Sequence, residues 1–224
     1  MKLRFVTATR GSLDEFKARS PLVQSLQRVS QTCELQLDVS ANNRAPLAHT
    51  FNAAIDKAQT DEVLVFIHDV VWIDDWYFAL RLQEALEVFD VVGVAGNTRR
   101  QAQQEGWLIQ PDTREKDLSH VSGGVSHGTP TTGQIAMFGT SPQPARLLDG
   151  VMLAAKAAVL QKAGVQFDPL FAFHFYDTDF CRSCEAKGLR LGTWPLALTH
   201  QSAGAWQSED WNHAFQLYLT KWGD

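Results

Sequence analysis

The chain is poor in cysteine, in basic charge and in long apolar runs. Its three cysteines, Cys33, Cys181 and Cys184, in 224 residues are too few and too unevenly placed for a disulfide-stapled fold. A reducing, cytoplasmic setting is expected instead. Lys and Arg number 20 against 25 Asp and Glu, a formal charge of −5. No global positive field exists for nucleic acid, so none is expected as a partner, and the local pair Arg99-Arg100 reads as a solvated loop. No stretch approaches the roughly 20 apolar residues that cross a bilayer. The opening MKLRFVTATRGS lacks the apolar centre and cleavage pattern of a signal peptide. Peripheral contact with the inner membrane face stays open. No internal repeat is visible. What is present is 45% apolar content with seven Trp, enough to fill the core of one α/β domain spanning 1–224.

The pattern along the chain alternates strands and helices. Leu3–Ala8 reads as a first strand, with Thr7, Thr9, Arg10 and Gly11 at its carboxyl end. Ser12 with Glu15 forms a capping box that starts a short helix. Ser20-Pro21 starts another, whose apolar stripe is Leu22, Leu26 and Val29. Glu34–Val39 alternates as a second strand, followed by the polar loop Ser40–Arg44. Pro46–Gln59 reads as a helix with Leu47, Phe51, Ala54 and Ile55 on one face. Val63–Ile67 is a continuous apolar run, as a doubly covered central strand requires, and His68-Asp69 follows at once. A helix is expected from Asp74-Asp75 to about Val88, then a strand at Val91–Ala95. This β-α-β-α-β-α-β order predicts a mostly parallel sheet with helices on both faces. Ligands of such sheets lie beyond the carboxyl ends of the strands, where Thr7, Thr9, Asp38, Asn42 and His68-Asp69 should gather.

Asn97–Met137 is polar and scattered with Gly and Pro, with an isolated Trp107. It reads as a mobile loop beside the ligand site, a lid or an acceptor-binding segment. Its Gly123–Gly128 run lacks the Lys-Ser/Thr ending of a phosphate loop. Leu147–Ala155 reads as a buried strand, Ala157–Ala163 as a short helix closed by Gly164, and Phe167-Asp168-Pro169 as a turn. Tyr176–Lys187 is expected as a helix with Asp177 and Asp179 in its first turn. A last strand, Leu189–Leu198, is interrupted by Pro195 and therefore expected at a sheet edge. His200 and Gln201–Gly204 follow, and Asp210–Trp222 forms a closing helix.

Several polar groups in this order could carry chemistry. A carboxylate such as Asp69 at the end of a central strand suits a divalent cation; a plain turn is the alternative. Asp177 and Asp179 suit a helix N-terminus as dipole-stabilised caps, and one could instead serve as a base. His200 could complete a metal site with Asp69 or be an ordinary surface histidine. Cys181-x-x-Cys184 lies on one face of a helix with too few further ligands for structural zinc, so core packing is expected.

Three segments together resemble inverting family-2-type glycosyltransferases of GT-A fold, more narrowly the small bacterial group related to the streptomycin-biosynthesis glycosyltransferase-like domain. They are VLVFIHD at 63–69, LLDGVMLAAKAAVL at 147–160 with FDPLF at 167–171, and FHFYDTDFCRSCEAKGLRL at 173–191 followed by His200. The resemblance implies a GT-A-like domain that moves a sugar from a nucleotide-sugar donor to an acceptor hydroxyl, glycan, lipid-linked or small molecule. It implies Asp177 as catalytic base. It places Thr7, Thr9, Asp38, Asn42, His68, Asp69, Asp149, Gly150, Asp179 and Arg182 on the donor. It also implies a divalent metal, Mn²⁺ or Mg²⁺, held by Asp69 and His200. One position departs from the pattern: Val70 stands where a second metal-binding carboxylate is common. Asp69 and His200 then suffice, His68 helps, or catalysis is metal-independent or lost. The last outcome would leave a catalytically weak or inactive nucleotide-sugar- or glycan-binding relative.

Overall fold

The structure is a computed structural model and describes residues 1–202 and 207–223. Ala203 and Gly204, the end of the expected turn after His200, lie outside the described residues. The first half follows the sequence pattern closely. β1 (Lys2–Ala8) leads to α1 (Leu13–Arg19), which starts with the expected capping box: Ser12 Oγ accepts from Glu15 N–H, and the Glu15 carboxylate accepts from Ser12 N–H. Pro21 opens α2 (Pro21–Val29), which buries Leu22, Leu26 and Val29. β2 (Glu34–Ser40), α3 (Leu47–Lys57) and β3 (Glu62–Ile67) follow, and every residue of β3 is buried.

The boundaries expected next shift. The chain after His68-Asp69 first forms a short strand, β4 (Val71–Ile73), because Val71 and Ile73 both point inward. Asp75 then accepts from Tyr77 N–H at 2.8 Å, so α4 begins only at Phe78 and runs to Val88. The run Val91–Ala95 is split at Val94 into β5 (Val91–Gly93) and β6 (Ala95–Asn97), which join different sheets. The segment read as a loop contains an antiparallel hairpin, β7 (Val121–His127) and β8 (Gln134–Gly139). Glycine obscured that strand in the sequence. Gly123 has φ +85° at a register shift, and a Cβ there would run into the Val94 carbonyl, so the irregularity demands the residue that weakens the strand signal.

β9 (Gln143–Ala145), β10 (Leu147–Leu148) and β11 (Met152–Lys156) come next; the expected single strand at 147–155 is broken by the turn at Asp149-Gly150. α5 (Ala157–Ala163) ends on Gly164 at φ +62°, and α6 spans Tyr176–Ala186. The expected edge strand at 189–198 is instead two strands in two sheets. β12 (Leu191–Thr193) lies between β5 and β9, and β13 (Leu198–His200) lies between β7 and β4. Pro195 does break the ladder, but at the crossing between sheets, and β9 covers the exposed side of β12. α7 (Glu209–Trp222) closes the chain.

The first sheet has the order β2-β1-β3-β11-β5-β12-β9. β2, β1 and β3 are mutually parallel, β12 is parallel to β5, and β11 and β9 run antiparallel to their neighbours. Its two faces carry separate cores. One joins α3, α5, α6 and α7 through Phe51, Phe66, Phe167 and Phe180; the other joins α2 and α4 through Phe5, Leu22, Phe78 and Leu82. The first holds an aromatic stack, with Phe167 lying on Phe180 at 4.0 Å and 8°. Each such ring, fully buried, contributes about 1.5–3 kcal/mol of transfer free energy. Cys181 and Cys184 are buried in this core, as expected, and Cys33 lies against the other. The second sheet, β10-β6-β7-β13-β4 with β8 against β7, forms a wall over the carboxyl end of the first. Among the described residues no helix is long and apolar enough to cross a membrane.

Candidate active site

A cleft of about 750 Å³ opens where the carboxyl ends of β1 and β3 meet the β7–β8 hairpin, the Asp149-Gly150 turn and the start of α6. Residues alternate across the hairpin: His127, Ala136 and Phe138 line the cleft, while Ser126, Ile135 and Met137 line a smaller cavity of about 400 Å³ on the other side. That second cavity has Asp74 as its one titratable lining group among the described residues. The chemistry is concentrated in the larger one.

Asp177 sits half-buried in the cleft, where α6 begins. The residue before α6, Phe175, has φ +63°, an unfavourable conformation for an aromatic residue. Its ring packs between Trp211, Phe215 and Tyr218, which offsets that strain and fixes where the helix starts. Asp177 Oδ1 accepts from Thr178 N–H and Oδ2 from Gly150 N–H, both at 2.8 Å. Gly150 can come this close because it has no Cβ; one would collide with the Tyr176 hydroxyl. Burial first, and the neighbouring Asp149 carboxylate second, push the proton affinity of Asp177 up to about 6, against the pull of those N–H donors.

Beside it runs a directional hydrogen-bond chain. Tyr176 Oη donates to Gly150 O at 2.7 Å and lies 3.1 Å from His68 Nε2. With its proton on Gly150, Tyr176 accepts from His68 Nε2–H. His68 Nδ1, 3.4 Å from His200 Nε2, is then the acceptor for His200; this network assigns both tautomers. Burial, and then His200, depress His68 to about 3, so it is neutral at physiological pH. Burial also lowers His200, partly opposed by Asp149. His127 pairs with His200 across β7 and β13, with ring centroids 6.2 Å apart.

Asp149 is held on both oxygens, Oδ1 by Val151 N–H at 2.7 Å and Oδ2 by Trp107 Nε1–H at 2.8 Å. Trp107 comes from the segment expected to be a lid or an acceptor-binding loop, and that segment is tied down at its base. Asn97, fully buried, donates to Trp107 O and to Asp117; Asp117 also binds the Arg99 guanidinium through both oxygens and contacts His120. Burial alone would raise Asp117, but these partners hold it down at about 2.

Of the residues singled out in the sequence, His68, Asp69, Asp149, Gly150, Asp177 and His200 line the cleft. Val70 and His174 line it too, while Thr7, Thr9, Asp38, Asn42, Asp179 and Arg182 lie outside its lining. Thr7 is fully buried, while Thr9 and Asn42 belong to a turn in which Asn43 N–H donates to Thr9 O and Asn42 N–H to Gly11 O. Asp38 is engaged by Arg4 and Lys57. Asp179 faces α7, where it meets Trp222 Nε1 at 2.9 Å and Lys221 at 2.7 Å. Arg182, one helical turn on, stacks over Trp222 and donates to Tyr218. Residues two apart on a helix point to opposite sides, so Asp177 and Asp179 could not both face the cleft. Sequence reasoning passed over Tyr176, His127, Trp107 and Lys116. Tyr176 adjoins Asp177 in the YDTD run, and His127 closes the glycine-rich run. Lys116 is the one lysine or arginine among the described lining residues.

The donor set does not fit a resident divalent cation held by protein alone. Asp69 and His200 line the cleft, but Val70 brings no carboxylate and His200 Nε2 is committed to His68. Among the described residues no group of three His, Cys, Asp or Glu side chains is placed to hold a metal.

No protein-family model matches the chain, and no curated protein matches it in sequence. Solved structures do. The structure is similar to GalNAc-T7, solved with UDP, GalNAc and Mn²⁺, at 10% identity and a TM-score of 0.54, over 100% of this chain and 48% of that one. It is similar to the mannosyltransferase PcManGT from Pyrobaculum calidifontis, solved with GDP-Man and Mn²⁺, at 10% identity and a TM-score of 0.51, over 97% of this chain and 61% of that one. The chain thus spans about half of one neighbour and under two thirds of the other. At these identities the likeness establishes the fold, which is of GT-A type.

Proposed function

We propose that this chain is an inverting glycosyltransferase that takes a sugar from a nucleoside-diphosphate donor, with 1–224 acting as one GT-A domain of the small bacterial group its motifs resemble. The observation that carries the reading is Asp177: a carboxylate with proton affinity raised to about 6, oriented by two N–H donors, in a cleft at the carboxyl ends of the parallel strands. A base is most effective when its pKa lies near the working pH. In this role Asp177 accepts the proton of an acceptor hydroxyl. The hydroxyl oxygen bonds to the anomeric carbon, the bond from that carbon to the diphosphate oxygen breaks on the opposite face, and the nucleoside diphosphate leaves with the electron pair. One displacement inverts the anomeric centre. In this role Lys116 and the His127 imidazole, both lining the cleft, are the donors available to the departing diphosphate.

The second reading, a binding protein without transfer activity, is favoured by Val70. One experiment separates the two. Nucleotide sugars are screened by thermal shift, and those that bind are assayed for transfer or donor hydrolysis with wild type and Asp177→Asn. Activity that disappears in a folded, donor-binding Asp177→Asn supports the enzyme. Binding with no turnover in wild type supports the second reading, and failure of every nucleoside diphosphate and nucleotide sugar to bind defeats the enzyme and leaves only a glycan-binding relative.

A further inference from the structure

We propose that Trp107 is a positioning residue that sets Asp177 through the Asp149-Gly150 turn; this rests on the reading of Asp177 as the reacting base. The turn is gripped from two sides. Val151 N–H holds Asp149 Oδ1 from within the turn, and the Trp107 indole N–H holds Oδ2 from the opposite wall. The same turn delivers Gly150 N–H to Asp177 Oδ2 and Gly150 C=O to the Tyr176 hydroxyl. Every bond from the indole to the base is therefore a direct contact: Trp107 to Asp149, Asp149 to its own turn, and Gly150 to Asp177.

The indole is itself fixed. Its main-chain carbonyl accepts from Asn97 at 2.9 Å, and its ring meets Phe138 edge-on at 4.9 Å and 85°. Asn97 is anchored in turn by the buried Asp117. The 98–120 segment thus reaches the reacting carboxylate through a braced strut. A charge-assisted hydrogen bond from a preorganised donor is stronger than a neutral one, and small displacements of a base from its working geometry lower turnover more than substrate binding. A ligand that wedges against Trp107 acts on Asp177 through the same contacts.

Two substitutions separate the donor from the ring. Trp107→Phe keeps an aromatic ring against Phe138 and removes the N–H. Trp107→Gln removes the ring and places an amide N–H the same number of bonds from Cα as the indole nitrogen. Amide hydrogen exchange at Gly150 reads the turn without any substrate, with the buried amides of β3 as the reference for intact folding. Trp107→Phe should speed Gly150 exchange about tenfold, the loss expected for one hydrogen bond of this kind, and Trp107→Gln should restore most of the protection. In turnover, Trp107→Phe should lower kcat about tenfold with little change in donor KM, and Trp107→Gln should recover part of it. Unchanged Gly150 exchange in both variants, or a milder defect in Trp107→Phe than in Trp107→Gln, overturns the proposal, because ring packing would then be the whole role. If wild type transfers no sugar while Gly150 exchange follows the expected order, the strut stands and the glycosyltransferase reading falls.

Discussion

Replacing Asp177 by Asn should make the protein more stable in mild alkali and less stable in acid. The carboxyl rises from 3.8 to about 6 on folding. A rise of about 2 units is worth about 3 kcal/mol. The folded protein binds this proton more tightly than the unfolded chain, so the contribution is complete below the unfolded value and is lost as pH climbs through about 6. Above that, the ionised group destabilises the fold. Asn carries no charge and escapes this term, but it offers one acceptor to two N–H donors, Gly150 and Thr178. The mismatched donor costs about 1–2 kcal/mol. The net expectation is a gain of about 1–2 kcal/mol at about pH 8, or roughly 3–6 °C in Tm for a chain of this size. At about pH 4.5 the gain is gone and the variant lies between level with wild type and about 1 kcal/mol less stable. Denaturation of both proteins across this range gives the difference curve. Wild-type kcat/KM should rise with pH to a plateau with a midpoint near 6, and the variant should lose roughly 10²–10⁴-fold. A flat stability difference from about pH 4.5 to 8 would refute the reasoning, since burial and Asp149 would then not load Asp177 with a proton.

Asp117→Asn should lower stability by about 2–3 kcal/mol, because Arg99, Asn97 and His120 all depend on a carboxylate that is 1% exposed. Since that carboxyl is held down at about 2, its contribution is present above its unfolded value and fades only as pH falls towards about 2. The Tm gap between wild type and variant should therefore be constant from about pH 5 to 8; a gap that closes in this window argues against the clamp. Mn²⁺ at about 1 mM, without nucleotide, should raise Tm by less than about 1 °C, because Asp69 and His200 alone do not form a cage. Calorimetric binding of Mn²⁺ to the free protein with a Kd below about 10 μM would contradict the donor-set argument.

The elements that local pattern controls were legible in advance. The capping box at Ser12 and Glu15, Pro21 opening its helix, the wholly buried β3 and the left-handed Gly164 each follow from a few neighbouring residues. The misread stretches are those where neighbouring residues disagree with the path of the chain. Val94 and Pro195 mark places where one apolar run serves two sheets, and nothing local announces the change of partner. The β7–β8 hairpin was hidden because Gly123 must be glycine for close packing, and glycine weakens strand pattern.

By itself, the order of residues was enough for the α/β class of fold; the grouping of His68-Asp69 with Asp177 and His200 came from the resemblance of their motifs to a known family, since spacing alone left each of them a plainer reading. Which acid faces the cleft is a matter of helical phase joined to sheet position. Asp177 meets Gly150, while Asp179, two residues on, is drawn to Lys221 and Trp222. Only the tertiary structure decided that, along with the load on Asp177, the neutrality of His68 and the reach of Trp107 to Asp149. Each depends on burial and on partners from distant parts of the chain, and proton affinity is set by that surrounding medium rather than by residue type.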